Sequence, residues 1–155
     1  MKNSALVVID LQNDITKNYK EIIENVNRAI DWAIQKELWI VYIQHNNLSA
    51  WTRTFKPGTR GAELVPELNV VSDHIFTKSK SNALTSEAFA AFIGETGITD
   101  FYLAGADAAA CVKSTCYNMR KAAIPSRCCR TASPAMIKRS CRSCWPIMRA
   151  RAALL

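Results

Sequence analysis

Cys111, Lys78 and Asp10 are the residues of this chain whose types and positions could do covalent chemistry together. Cys111 follows a short apolar run, Phe101 to Ala104, then Gly105 and a small-residue turn, and it opens a helical pattern. Backbone N–H groups at a helix start, with the positive end of the helix dipole, favour a thiolate there. Lowering a thiol pKa by two units requires only about 2.7 kcal/mol of differential stabilisation. A cysteine nucleophile also needs a proton acceptor and a means of holding an oxyanion. Asp10, at the end of another apolar run, can be the general base. Lys78 can steady it and balance negative charge. The turn from Gly105 to Cys111 can donate backbone N–H groups to the oxyanion. Each residue also has a plainer role open to it: a small buried thiol, a capping aspartate and a surface lysine like Lys80.

The elements that must position these side chains are legible in the periodicity. Ala5–Ile9 and Leu38–Ile43 are unbroken apolar runs, as expected of strands buried on both faces. Apolar residues at 22, 23, 26, 29, 30, 33 and 34 mark a helix from Tyr19 to Gln35. Asp73–Thr77 and Asp100–Leu103 read as further strands. Ser86–Glu95 reads as a helix with Thr85 as its N-cap and Gly97 beyond its end, and Cys111–Ala122 as the next helix. Alternating strands and helices predict an α/β fold, a doubly wound, Rossmann-like parallel sheet with helices on both faces. Ligands of such sheets bind beyond the carboxyl ends of the strands. Asp10, His45, Lys78 and Cys111 each fall at such an end, so four reactive side chains can converge without being close in sequence.

Composition sets the outer bounds. At 155 residues, 49% apolar and 21% charged, the chain is one globular domain able to bury a core. No apolar run is long enough to span a membrane, and Asp10 interrupts the first one, so a cytoplasmic location is expected. The net charge of +7 is not spread evenly: residues 125–155 hold seven of the 20 basic residues and none of the 13 acidic ones. They also hold Cys128, Cys129, Cys141 and Cys144. The preceding residues are neutral overall, so neither a nucleic-acid partner nor a membrane is expected. The expected division is therefore a domain over 1–124 and an atypical basic tail over 125–155.

Four segments carry a family resemblance. Ala5 to Asp14 resembles the opening strand and catalytic aspartate of the isochorismatase-like cysteine hydrolases. Gly58 to Leu68 resembles that family's Gly-Thr-x-Gly-Ala-Glu-x-x-Pro segment. Asp73 to Lys78 with Asn82 to Thr85 resembles the stretch holding its lysine, and Gly97 through Cys111 to Thr115 its nucleophile elbow. The segments keep the family's order and spacing over roughly residues 4–122. The resemblance implies an Asp10–Lys78–Cys111 triad. It also implies an oxyanion hole from the N–H groups of Asp107 and Cys111 after a non-proline cis peptide at Ala106–Asp107, and an assembly into homodimers or homotetramers. Gln12, His45, Trp51 and Ala106 are the candidate substrate-pocket residues, with Arg53 and Arg60 nearby in the 45–60 loop pointing to a small anionic or planar substrate.

Within the family, the members that cleave the vinyl ether of isochorismate lack the nucleophile, so Cys111 points to C–N hydrolysis of an amide, ureido or carbamoyl compound through a thioester. The vinyl-ether reaction and a catalytically impaired member are the alternatives. The nicotinamidase branch binds a metal through an Asp-x-His pair and further histidines. Here only His45 and His74 exist, so neither metal nor cofactor is expected. Asp107 stands where the family usually has a small or apolar residue, and Leu84 where it commonly has Phe. Residues 125–155 do not supply the β-α-β stretch expected next. Shifting their reading frame back by one base can yield an apolar strand and an acid-containing amphipathic helix, so the tail is expected to be out of frame.

Overall fold

The computed structural model describes residues 3–16, 20–106 and 109–128. Five parallel strands form one sheet: β1 (Ser4–Ile9), β2 (Trp39–His45), β3 (Ile75–Lys78), β4 (Asp100–Gly105) and β5 (Ser126–Cys128). Their order is β3-β2-β1-β4-β5. The chain therefore walks outward from β1 on one side, then crosses to β4 on the other, and the switch point lies between β1 and β4.

Strand pleating explains why the apolar runs are unbroken. Leu6 and Val8 of β1 point to one face, joining Ile40 and Tyr42 of β2 in a core shared with Val26, Ile30 and Ala33 of α2 (Lys20–Gln35). Ala5, Val7 and Ile9 point to the other face. There they meet Val41, Ile43, Phe101 and Leu103, under Phe89 of α3 (Glu87–Thr96) and Met119 of α4 (Cys111–Lys121). Both faces are covered, so neither needs a polar stripe. Burying one such aliphatic side chain contributes about 1.5–3 kcal/mol.

Several local expectations change. Ile34, placed in the α2 stripe, is 49% exposed, because it lies past the helix edge that faces the sheet. The N-cap of α3 is Ser86, whose hydroxyl accepts from Phe89 N, whereas Thr85 donates its hydroxyl to Asn82 O. Gly97 takes the left-handed conformation (φ 64°) that ends α3. A short helix, α1 (Asn13–Thr16), follows β1, and single 3-10 turns form at Arg60–Ala62 and Ala83–Thr85. β5 begins after the change in composition at Ile124. The sheet thus continues into the first residues of the basic segment, where Phe101 N donates to Pro125 O. The remainder of the tail, including Cys129, Cys141 and Cys144, lies outside the described residues. Among the described residues, no helix is long and apolar enough to cross a membrane.

Candidate active site

The central strands end in unusual backbone. Ile9 of β1 is in register with Gly105 of β4. Gly105 has φ 139°, and a Cβ there would collide with the backbone of Ile9, so only glycine fits. Asp10, the residue after β1, is left-handed at φ 56°, a conformation uncommon outside glycine and found at functional sites. Asp10 N donates to Ile43 O at 2.9 Å and Ala106 N to Ile9 O at 2.9 Å, tying three strand ends together at one level.

Lys78, the last residue of β3, reaches across to Asp10. Its Nζ donates to Asp10 Oδ2 at 2.9 Å, with the two side chains 0% and 2% exposed. The same Nζ lies 3.2 Å from His45 Nδ1 and donates to Cys111 Sγ at 3.5 Å. The ends of β1, β2 and β3 and the start of α4 thus bring Asp10, His45, Lys78 and Cys111 around one ammonium group. Asp10 Oδ1 is buried and has no hydrogen-bond partner, leaving an acceptor at the site.

The Cys111 thiol is pushed up to about 12, against an ordinary value of 9.0, first by burial and then by the neighbouring Asp10 carboxylate, which Lys78 only partly offsets. Burial and the facing carboxylate thus oppose the thiolate that the helix start favours, in keeping with a thiol that needs a base. Burial, reinforced by the Lys78 charge and opposed by Asp10, lowers the pKa of His45 below 6.5. Its imidazole is neutral at pH 7 and accepts from Lys78.

Neighbouring elements hold the cluster in place. Buried Thr115, one turn into α4, accepts from Ala83 N at 3.0 Å, joining that helix to the turn that follows Lys78. Asp14 on α1 accepts from Phe55 N at 2.7 Å, and the Phe55 ring meets the His45 ring edge-on at 5.5 Å. Asn13 donates to Arg60 O at 2.7 Å. The roles of Asn13, Asp14, Phe55 and Thr115 were missed in the sequence, although two carboxamides and an acid directly after a buried strand are a signal of loop anchoring.

Two pocket candidates have other duties. Gln12 is fully buried; its Nε2 donates to His45 O and Ala62 O, and its Oε1 accepts from His45 N at 2.8 Å. It is a strut under the site, with both ends of its amide engaged. Ala106 is 2% exposed and packs into the α2-side core. Trp51 is 93% exposed and Arg53 and Arg60 are exposed, so the structure does not gather them with the other four. Asp107, with the Ala106–Asp107 peptide, lies outside the described residues. Ala110 gives α4 no side-chain cap, so the first-turn N–H groups lack that partner.

A model of the isochorismatase domain matches residues 4–144. The chain belongs to the isochorismatase family. It is 28% identical over 142 residues to a probable inactive nicotinamidase of Arabidopsis thaliana, covering 76% of this chain and 72% of that one. Among solved structures, it superposes on the N-carbamoylsarcosine amidase of Thermoplasma acidophilum with a TM-score of 0.76, at 21% identity over 90% of this chain and 87% of that one. The pyrazinamidase of Pyrococcus horikoshii in complex with zinc gives 0.73 at 23% identity, covering 86% and 89%. The latter two likenesses establish the fold. His45 is engaged by Lys78, and His74 packs against Trp39 and Phe92. No group of three metal-binding side chains gathers among the described residues.

Proposed function

We propose that this isochorismatase-family chain is a metal-independent cysteine hydrolase that cleaves a C–N bond of a small amide, ureido or carbamoyl compound. The observation that carries the reading is the meeting of Asp10 and Lys78, from two strand ends, and Cys111, from the start of α4, at 2.9 and 3.5 Å. As Sγ attacks the carbonyl carbon, the thiol proton passes to Asp10 Oδ1. The family resemblance assigns the oxyanion to the N–H groups of Cys111 and of Asp107, the latter outside the described residues. Collapse breaks the C–N bond, and Asp10 returns the proton to the departing amine. Water then attacks the thioester with Asp10 again as base, freeing the acid and restoring the thiol. Lys78 keeps the net charge of the pair low throughout. The amidase names of two fold neighbours agree with this choice of bond.

The test is ammonia release from a panel of small amides, ureido acids and carbamoyl compounds. Cys111→Ala is expected to abolish it; a Cys111→Ala protein with full activity overturns the mechanism. A second reading, an impaired family member, is favoured by the likeness to a relative described as a probable inactive nicotinamidase. It predicts a broad, non-cooperative thermal transition by circular dichroism and no turnover. The gene sequence settles whether residues 125–155 are read out of frame.

A further inference from the structure

We propose that His45 is a positioning residue, the third acceptor that holds the Lys78 ammonium on the line between Asp10 and Cys111. An ammonium has three donors and no acceptor, and here it meets three acceptors: Asp10 Oδ2 at 2.9 Å, His45 Nδ1 at 3.2 Å and Cys111 Sγ at 3.5 Å. Two of these are the proposed base and nucleophile. The third belongs to neither role, yet it is placed with equal care. His45 is paired in register with Lys78 at the ends of β2 and β3. Strand alternation puts it on the face of Val41 and Ile43, and Lys78 on the face of Phe76, which is the face that α4 covers.

The backbone of His45 is clamped on both sides by Gln12, and its ring is backed by Phe55. Such support fixes Nδ1 as the lone-pair nitrogen, because a proton there would face the ammonium. Without this acceptor, the Lys78 ammonium is steered only by Asp10, and its weakest contact, to sulfur, is lost first. The charged groups acting on the imidazole are Lys78 from β3 and Asp10 after β1, and the Cys111 thiol on α4 shares the Lys78 ammonium. Protonation of His45 in acid would set two cations against each other across 3.2 Å.

The inference rests on the hydrolase reading, so the experiment has two arms. In the first, acylation of Cys111 by p-nitrophenyl acetate is followed in the full chain as nitrophenolate release. At pH 7.5, His45→Ala is expected to lower the maximal acylation rate about tenfold, the loss of one charge-assisted hydrogen bond, with unchanged half-saturation. His45→Asn, whose side-chain oxygen can accept in the same place, is expected to recover to within about threefold. The wild type is expected to lose activity as pH falls below 6.5, and His45→Asn to lack that limb. In the second arm, alkylation of the Cys111 peptide by iodoacetamide is read by mass spectrometry at pH 9. Slower alkylation in His45→Ala and recovery in His45→Asn are expected, because a displaced ammonium no longer favours the thiolate.

Equal rates for wild type and folded His45→Ala in both arms overturn the proposal. So does a folded His45→Asn as impaired as His45→Ala, or a wild-type profile without the acid limb. If the wild type is never acylated at Cys111 but its alkylation still depends on His45, the hydrolase reading fails and the positioning role stands.

Discussion

Replacing Asp10 by Asn should move two properties of Cys111 in opposite directions. Burial and the Asp10 carboxylate together hold the thiol at about 12. Lys78 Nζ bridges Asp10 Oδ2 and Cys111 Sγ at 2.9 and 3.5 Å, which caps the separation of carboxylate and sulfur at about 6 Å. At an effective dielectric constant of about 20, a full negative charge at that distance disfavours the thiolate by about 3 kcal/mol, or two pKa units. Asn removes the charge, keeps an oxygen for the ammonium and tolerates the left-handed backbone of position 10. At pH 8 the thiolate population should rise about a hundredfold. The less basic sulfur is intrinsically about eightfold less reactive, so alkylation by iodoacetamide should accelerate about tenfold. Hydrolysis should meanwhile fall by about 10²–10⁴, because the general base is gone. The assays are mass-spectrometric alkylation of the Cys111 peptide and product release from the best compound of the panel. A folded Asp10→Asn protein alkylated no faster than wild type would refute the assignment of the raised thiol to Asp10.

Thr115→Val should leave Ala83 N without its acceptor and lower stability by about 1–3 kcal/mol in urea unfolding, with Thr115→Ser close to wild type. Gly105→Ala should be far worse, with a loss above about 4 kcal/mol or no soluble protein, because the added carbon meets the Ile9 backbone at a φ that alanine avoids. A chelator should leave hydrolysis unchanged, since Lys78 occupies His45, and His74 is packed between aromatic rings; inhibition by EDTA that zinc reverses would contradict this.

The strands and the doubly wound layout were legible because a strand covered on both faces must be apolar throughout, and β1 and β2 are. The start of α4 at Cys111 was legible too, since small residues and glycine precede a helical pattern there. What escaped had no period to read. α1 has four residues, and the two 3-10 turns three each, stabilised by contacts with distant loops. The opposing pull on the Cys111 proton was not legible for a related reason: a helix start is local, but burial and the facing carboxylate arise only when β1 and β4 are adjacent. His45 was visible as a strand-end residue. Its bond to Lys78 depends on the β2–β3 register, which no residue type encodes.

Asp10 joins the strain of the site to its chemistry. A non-glycine residue held at φ 56° is disfavoured by about 1–3 kcal/mol, and glycine would relieve that. Yet a glycine would strand Lys78, whose side chain is fully buried, and breaking such a pair from one side is destabilising by about 3–5 kcal/mol. The second effect is the larger, so the ion pair holds the strained backbone in place and the fold retains a carboxylate at the switch point. That carboxylate keeps the nearby thiol protonated at rest, since it is one of the groups that raise the pKa of Cys111. In the proposed hydrolysis it is also the base that removes the proton once a carbonyl is in reach. On that proposal one residue both restrains the nucleophile and releases it, and the left-handed turn after β1 is where the fold makes that possible.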